Sequence, residues 1–244
     1  MKPVRIILRR ELASYFATPL AYVVIVIFLL MANSFAFSFG SLFERGQADL
    51  APFFNFIPWL YLFLIPAVSM RLWAEERRSG SIELLLTQPV TLWQAVLGKF
   101  FAAWIFITIA IALTFPIWIT VNYLGNPDNG AIFAAYIGCV VMAGGFLAIG
   151  SFTSSLTKNQ LIAFLLSAWL CFLLLLAGFP AVTEWFRGFG VQWLVDGIAS
   201  LSFLTHFENI MKGVLDLRDL LYFALVIVFF LLASTVVLEA RKSR

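Results

Sequence analysis

Charged residues divide this chain into six uncharged windows, at 12–43, 50–70, 100–127, 129–157, 159–183 and 220–238, the shortest with 19 residues. A helix crosses the ~30 Å hydrocarbon layer with about 20 predominantly apolar residues, so every window is long enough to span. Backbone groups in lipid must bond internally, which leaves helices or a closed barrel. Barrel strands would alternate apolar and polar positions over about ten residues, whereas these windows are continuously apolar. The pattern predicts an all-α polytopic membrane protein. Its six transmembrane helices are expected near 20–39, 53–70, 100–121, 132–152, 161–179 and 220–238. The first window exceeds the about 7–15 residues of a cleavable signal's apolar region, so it is expected to be a retained span.

An even number of spans puts both termini on one side. Twelve basic residues share that side: Lys2, Arg5, Arg9, Arg10, Arg71, Arg77, Arg78, Lys99, Lys158, Arg241, Lys242 and Arg244. The opposite side carries four, Arg45, Arg187, Lys212 and Arg218. The excess of basic residues marks the cytoplasmic side, so both ends are expected there.

Three segments outside the spans carry pattern of their own. In 1–18, Val4, Leu8, Leu12 and Tyr15 recur at helical spacing with Lys2, Arg5 and Arg9 on another side, which predicts an interfacial helix. The segment 71–99 is long for a helix–helix connection, which typically takes about 2–8 residues. Glu75, Glu76, Arg77 and Arg78 form a mixed-charge cluster, and Ser79-Gly80-Ser81 breaks the helix. Ser81 is placed to cap a short helix with Glu83 in its first turn, Leu84 follows, Pro89 ends it, and Thr91 is placed to cap the next. This reads either as a docking helix for a cytoplasmic partner or as a solvated loop whose leucines dip into the interface. In 180–219, Ile198, Leu201, Phe207, Ile210, Val214 and Leu217 recur every three or four positions. That spacing suits one or two short helices, either dipping into the outer leaflet or packing on the bundle. His206, Glu208, Asp216 and Arg218 among them either shape an exit path or pair with one another.

Composition narrows the chemistry. At 62% hydrophobic and 12% charged residues, too few polar side chains exist to clothe a soluble domain of this length. A single histidine, His206, excludes a two-histidine metal motif, and Cys139 and Cys171 both lie in apolar runs. No phosphate-binding G-x-x-x-x-G-K-[ST] loop occurs; Gly98-Lys99 is followed by Phe100. No charge falls within the core of a predicted span, which argues against a proton- or ion-coupled carrier. Within the spans, Ala143, Gly144, Gly145, Ala148 and Gly150 form a small-residue stripe suited to close packing. Pro58, Pro66 and Pro116 are placed to kink spans two and three. Asn33, Ser34 and Ser38 give the first span a polar streak.

The stretch 75–90, E-E-R-R-S-G-S-I-E-L-L-L-T-Q-P-V, together with six spans and an N-terminal helix, resembles the permeases of type-2 ABC (ABC-2) transporters. The stretch 201–223, L-S-F-L-T-H-F-E-N-I-M-K-G-V-L-D-L-R-D-L-L-Y-F, looks like the gliding-motility-type subgroup, similar also to permeases of copper-site assembly. The resemblance implies one transmembrane domain over 1–244, in a bacterial inner membrane, with an ATPase-coupling segment in 71–99 and a re-entrant outer element in 180–219. Glu75, Glu76, Arg77, Arg78, Gly80, Ser81, Glu83 and Leu84 match the coupling segment; His206, Glu208, Asp216 and Arg218 fall in the outer element. It implies two separate ATPase subunits holding ATP and Mg, a second permease subunit (identical or paralogous), surrounding lipids, an optional periplasmic accessory protein, and no nucleic acid. This chain would then bind no cofactor of its own and would not be an enzyme. A membrane scaffold recruiting the same kind of ATPase is the competing reading, and an intramembrane enzyme the remote one.

Overall fold

The computed structural model describes residues 2–40, 48–81, 90–179 and 200–242, and the single positions 182, 184 and 197. Among these residues every regular element is helical. The helices are α1 (Lys2–Ala17), α2 (Pro19–Ser34), α3 (Ala51–Ser69), α4 (Arg71–Ser79) and α5 (Leu92–Ala112). They continue with α6 (Phe115–Leu124), α7 (Asn129–Leu156), α8 (Gln160–Leu176), α9 (Phe203–Met211) and α10 (Leu217–Lys242). A π-helical turn, Phe35–Phe39, prolongs α2.

Among the described residues, five helical stretches are long and apolar enough to cross a membrane: Ala21–Ser38, Ala51–Ser79, Leu92–Leu124, Asn129–Leu156 and Leu217–Ala240. α8 is equally apolar but has 17 residues. The third stretch is two helices. α5 ends at Ala112, and Pro116 sits in the first turn of α6, where a missing N–H costs nothing. Pro58 and Pro66 lie inside α3.

α7 is the central post, touching α3, α4, α5, α8, α9 and α10. Its apolar window is 72% buried, against 28% for the first stretch and 22% for the last. The small-residue stripe explains that position. Gly144 lies against Ile227 and Trp104, Gly145 against Phe203, and Gly150 against Ser69 and Ser167, so a Cβ at any of these meets an occupied site. Peripheral faces are apolar and open: Leu165, Trp169 and Phe172 on α8, and Leu225, Phe229 and Leu232 on α10. Such faces suit hydrocarbon rather than water.

α1 does more than lie beside the bundle. Ile7 is buried against Gly98 of α5, where a glycine Cβ would come 2.8 Å from the Ile7 side chain, while Arg5, Arg9 and Arg10 stay exposed.

The segment before α10 departs from its expected pattern. Phe203, His206, Phe207 and Ile210 form the buried face of α9, seated on Gly138 and Gly145 of α7. Leu201, Val214 and Leu217, assigned to the same stripe by spacing, are exposed, and Ile198 lies outside the described residues. α9 stops at Met211, and Gly213 turns the chain with a φ of 86°, so the helical period does not run on through Leu217.

Candidate functional site

The charged cluster after α3 sits where α3 passes into α4 at Met70. Gly80, in the left-handed region at φ 75°, ends α4. The nine residues of α4 divide into two faces. Glu75, Arg78, Ser79 and Gly80 are exposed, whereas Leu72, Trp73 and Ala74 are buried and Glu76 and Arg77 turn partly inward. Ser81 is half-buried with its hydroxyl 2.9 Å from that of Ser79. Glu83 and Leu84 lie outside the described residues.

The inward face is sewn to the end of α7. The Ser154 hydroxyl donates to the Met70 carbonyl at 2.9 Å and accepts from the Trp73 and Ala74 amides, each at 3.1 Å. The Trp73 indole N–H donates to Ser151 Oγ at 3.1 Å, and Arg77 donates to the Ser155 carbonyl at 2.7 Å. Ser151, Ser154 and Ser155 share one helical face by their i, i+3, i+4 spacing.

A second tie crosses to α1 and α5. The Lys99 ammonium lies 2.8 Å from Glu76 Oε1 and 3.3 Å from Glu11 Oε1, and 5.4 Å from the centre of the Trp73 ring. Its side chain is only 4% exposed, and both carboxylates are 19% exposed. A buried ammonium is tolerated because two carboxylates and an aromatic face replace its water. Tyr15 stacks on Phe106 beside this junction at 5.1 Å. Burial, with the Glu11 carboxylate adding to it, pushes its phenol above the ordinary tyrosine range. The capping box that starts α5 fixes the register of Lys99. Gln94 N–H donates to Thr91 Oγ1 at 3.4 Å, and Thr91 N–H donates to Gln94 Oε1 at 3.2 Å.

Of the matched cluster, Glu75, Glu76, Arg77, Arg78, Gly80 and Ser81 are therefore brought to one end of the bundle. Sequence reasoning missed Glu11, Lys99, Trp73, Ser151 and Ser154. Two faint signals existed: an acid directly after Arg9-Arg10, and a lysine at the head of an apolar run.

The outer set is dispersed. Glu208, Asp216 and Arg218 are exposed, and Asp216 caps the start of α10 by accepting from the Arg218 amide at 3.0 Å. His206 alone is buried. Its Nδ1 lies 2.5 Å from Asp219 Oδ1, its Nε2 3.0 Å from the Ser200 carbonyl, and its ring stacks on Tyr222 at 3.9 Å. Asp219, 4% exposed, belongs to this buried pair.

No curated protein matches the sequence significantly. Residues 11–243 match the family described as "ABC-2 family transporter protein", which takes in α2 through α10 and the Glu11–Lys99–Glu76 junction. A bundle of long apolar helices, with a charged elbow clamped to its central post, is thus a membrane transporter component, and the chain belongs to the ABC-2 transporter family.

Proposed function

We propose that this chain is the permease subunit of an ATP-driven exporter or extractor in a bacterial inner membrane, of the gliding-motility-type subgroup suggested by 201–223. α8 counts as the sixth span, since about 17 residues is the lower limit for crossing. The twelve-to-four division of basic residues then supports cytoplasmic termini, with α1 at the inner surface and 180–219 closing the outer mouth. Two permease subunits flank the path, and two separate ATPase subunits hold ATP and Mg.

The carrying observation is the construction of α4. It presents Glu75, Arg78 and Ser79 outward while serines of α7 and the Lys99 junction hold its other face. A push on the outward face therefore reaches α1, α3, α5 and α7 together. Such a push shifts the equilibrium between inward- and outward-open states only if the motor's contacts differ between them.

The chain is expected to co-purify with a cytoplasmic protein that carries a phosphate-binding loop. Arg78→Glu, which reverses an exposed charge and leaves both clamps intact, should reduce that recovery about tenfold and leave thermal stability unchanged. Unaltered recovery in Arg78→Glu removes α4 from the docking surface. A wild-type chain that retains no such ATPase overturns the permease reading itself.

A further inference from the structure

Hydroxyls on the membrane-crossing helices mostly turn back onto their own backbone. On α10, Ser234 donates to the Phe230 carbonyl at 2.7 Å and Thr235 to the Leu231 carbonyl at 3.0 Å. In the third stretch, Thr108 and Thr120 donate to the Trp104 and Pro116 carbonyls at 2.8 and 3.0 Å. The outer face of α2 breaks this pattern. Ser34 and, one turn on, Ser38 in the π-helical extension are exposed and make no hydrogen bond among the described residues. The first stretch closes at Ser38, so Ser34 lies one turn, about 6 Å, inside its end. Hydrocarbon has neither donor nor acceptor to give it, and a hydroxyl at that depth needs a protein partner.

Beside Ser34, α2 and α3 enclose a groove of about 720 Å³ lined only by apolar and aromatic residues. On the α2 side it runs from Val24 to Phe35, about 16 Å, and its middle coincides with the middle of the Ala21–Ser38 stretch. It therefore reaches about 8 Å to either side of the bilayer centre. An acyl chain hangs from one headgroup layer and stops near that centre, about 15 Å in, so neither leaflet fills the groove alone. A helix crosses the centre without interruption.

We infer that a second copy of this chain packs on this face, its α2 running parallel to the first about a two-fold axis along the bilayer normal. Val23, Ile27, Leu30, Ser34 and Phe37 are all exposed and recur at spacings of four, three, four and three, the seam of a parallel helix pair. With Met31 on α2 and Phe63 on α3 they offer roughly 700 Å² of surface, close to the ~800 Å² that each partner gives a stable interface. A two-fold axis sets each patch against its own copy. A hydroxyl suits that arrangement because it donates as well as accepts, so Ser34 pairs with Ser34 of the other copy. Apolar side chains of the second α2 then fill the groove. The inference rests on the permease reading above, in which two chains flank the path, and it names the surface they share.

The test uses the full chain alone, carrying a donor or an acceptor dye at its C-terminus, in liposomes of phosphatidylethanolamine and phosphatidylglycerol. Energy transfer between copies is followed as lipid is added. Phe63→Ala should raise the protein density needed for half-maximal pairing about tenfold. Phe229→Ala, which removes an equally exposed ring on α10, should leave it unchanged. Ser34→Ala should raise it about threefold, the worth of one hydrogen bond between helices in lipid. Ser34→Cys should link two copies on oxidation, since Cys139 and Cys171 are both buried. Wild-type copies that stay apart at every density overturn the inference, and so does an equal response to Phe63→Ala and Phe229→Ala. It also falls if Phe63→Ala leaves pairing alone and strips bound lipid from the monomer in native mass spectrometry, since acyl chains would then hold the groove. A chain that retains its ATPase but pairs through another face loses this surface and keeps the permease reading.

Discussion

Lys99→Met is expected to lower the thermal midpoint of the detergent-solubilised protein by about 6–12 °C, corresponding to a loss of about 3 kcal/mol. Lys99 is the only described cation within ion-pairing distance of Glu76, and it also holds Glu11. Met fills similar space but leaves Glu76 with no described cation and Glu11 with only Arg10, a mostly exposed guanidinium 3.1 Å away. Two carboxylates, each 19% exposed, then face each other across the lost ammonium. The loss arises from that unmatched charge rather than from missing packing. The triple variant Glu11→Leu, Lys99→Met, Glu76→Leu should therefore recover most of the midpoint, because an apolar replacement of a whole buried ion cluster is often neutral or stabilising. Differential scanning fluorimetry on the three proteins decides it. A single variant that melts within a degree or two of wild type would show that the junction does not hold α1, α4 and α5 together.

A comparable loss, about 3 kcal/mol, is expected of Asp219→Leu at the other end of the bundle. The Ser200 carbonyl can only accept, so His206 Nε2 carries a proton, and Nδ1 shares one with Asp219. Leucine leaves Nδ1 without a partner in a pocket walled by Tyr222 and Phe223. α9 should then part from α10 more often. Trypsin cleavage after the exposed Lys212 should rise about a hundredfold, because proteolysis follows local opening. His206→Phe combined with Asp219→Leu should bring cleavage back towards the wild-type rate by replacing both partners with apolar groups. Cleavage of the single variant at the wild-type rate, or a double variant no better than the single, would mean that the pair does not fasten α9.

Both predictions concern contacts that periodicity could not reveal. Apolar windows and helix punctuation are local properties, so five spans, the break at Gly80 and the Thr91 cap were legible from neighbouring residues. Lys99 finds Glu11 across 88 positions, and Trp73 finds Ser151 across 78. No pattern within one helix specifies such partners. The charged run 75–78 was legible as a cluster but not as two faces, because the inward turn of Glu76 and Arg77 is decided by the serines of α7 and by Lys99. The stripe through 198–217 misled for a related reason. Its spacing is helical, but Gly213 ends the helical path before Val214 and Leu217 can continue it. His206 was read as an outer charge, and its burial depends on an aspartate 13 positions away that caps nothing and belongs to the next helix.

The side of the membrane on which α4 lies is what everything else depends on. A cysteine at Ser79 can be tested with a membrane-impermeant maleimide, and the background is clean because Cys139 and Cys171 are both buried. Ser79→Cys should stay unlabelled in intact cells, react in inverted vesicles, and lose that reactivity when the ATPase subunit is bound. Rapid labelling from outside intact cells would place α4 beyond the reach of any cytoplasmic motor.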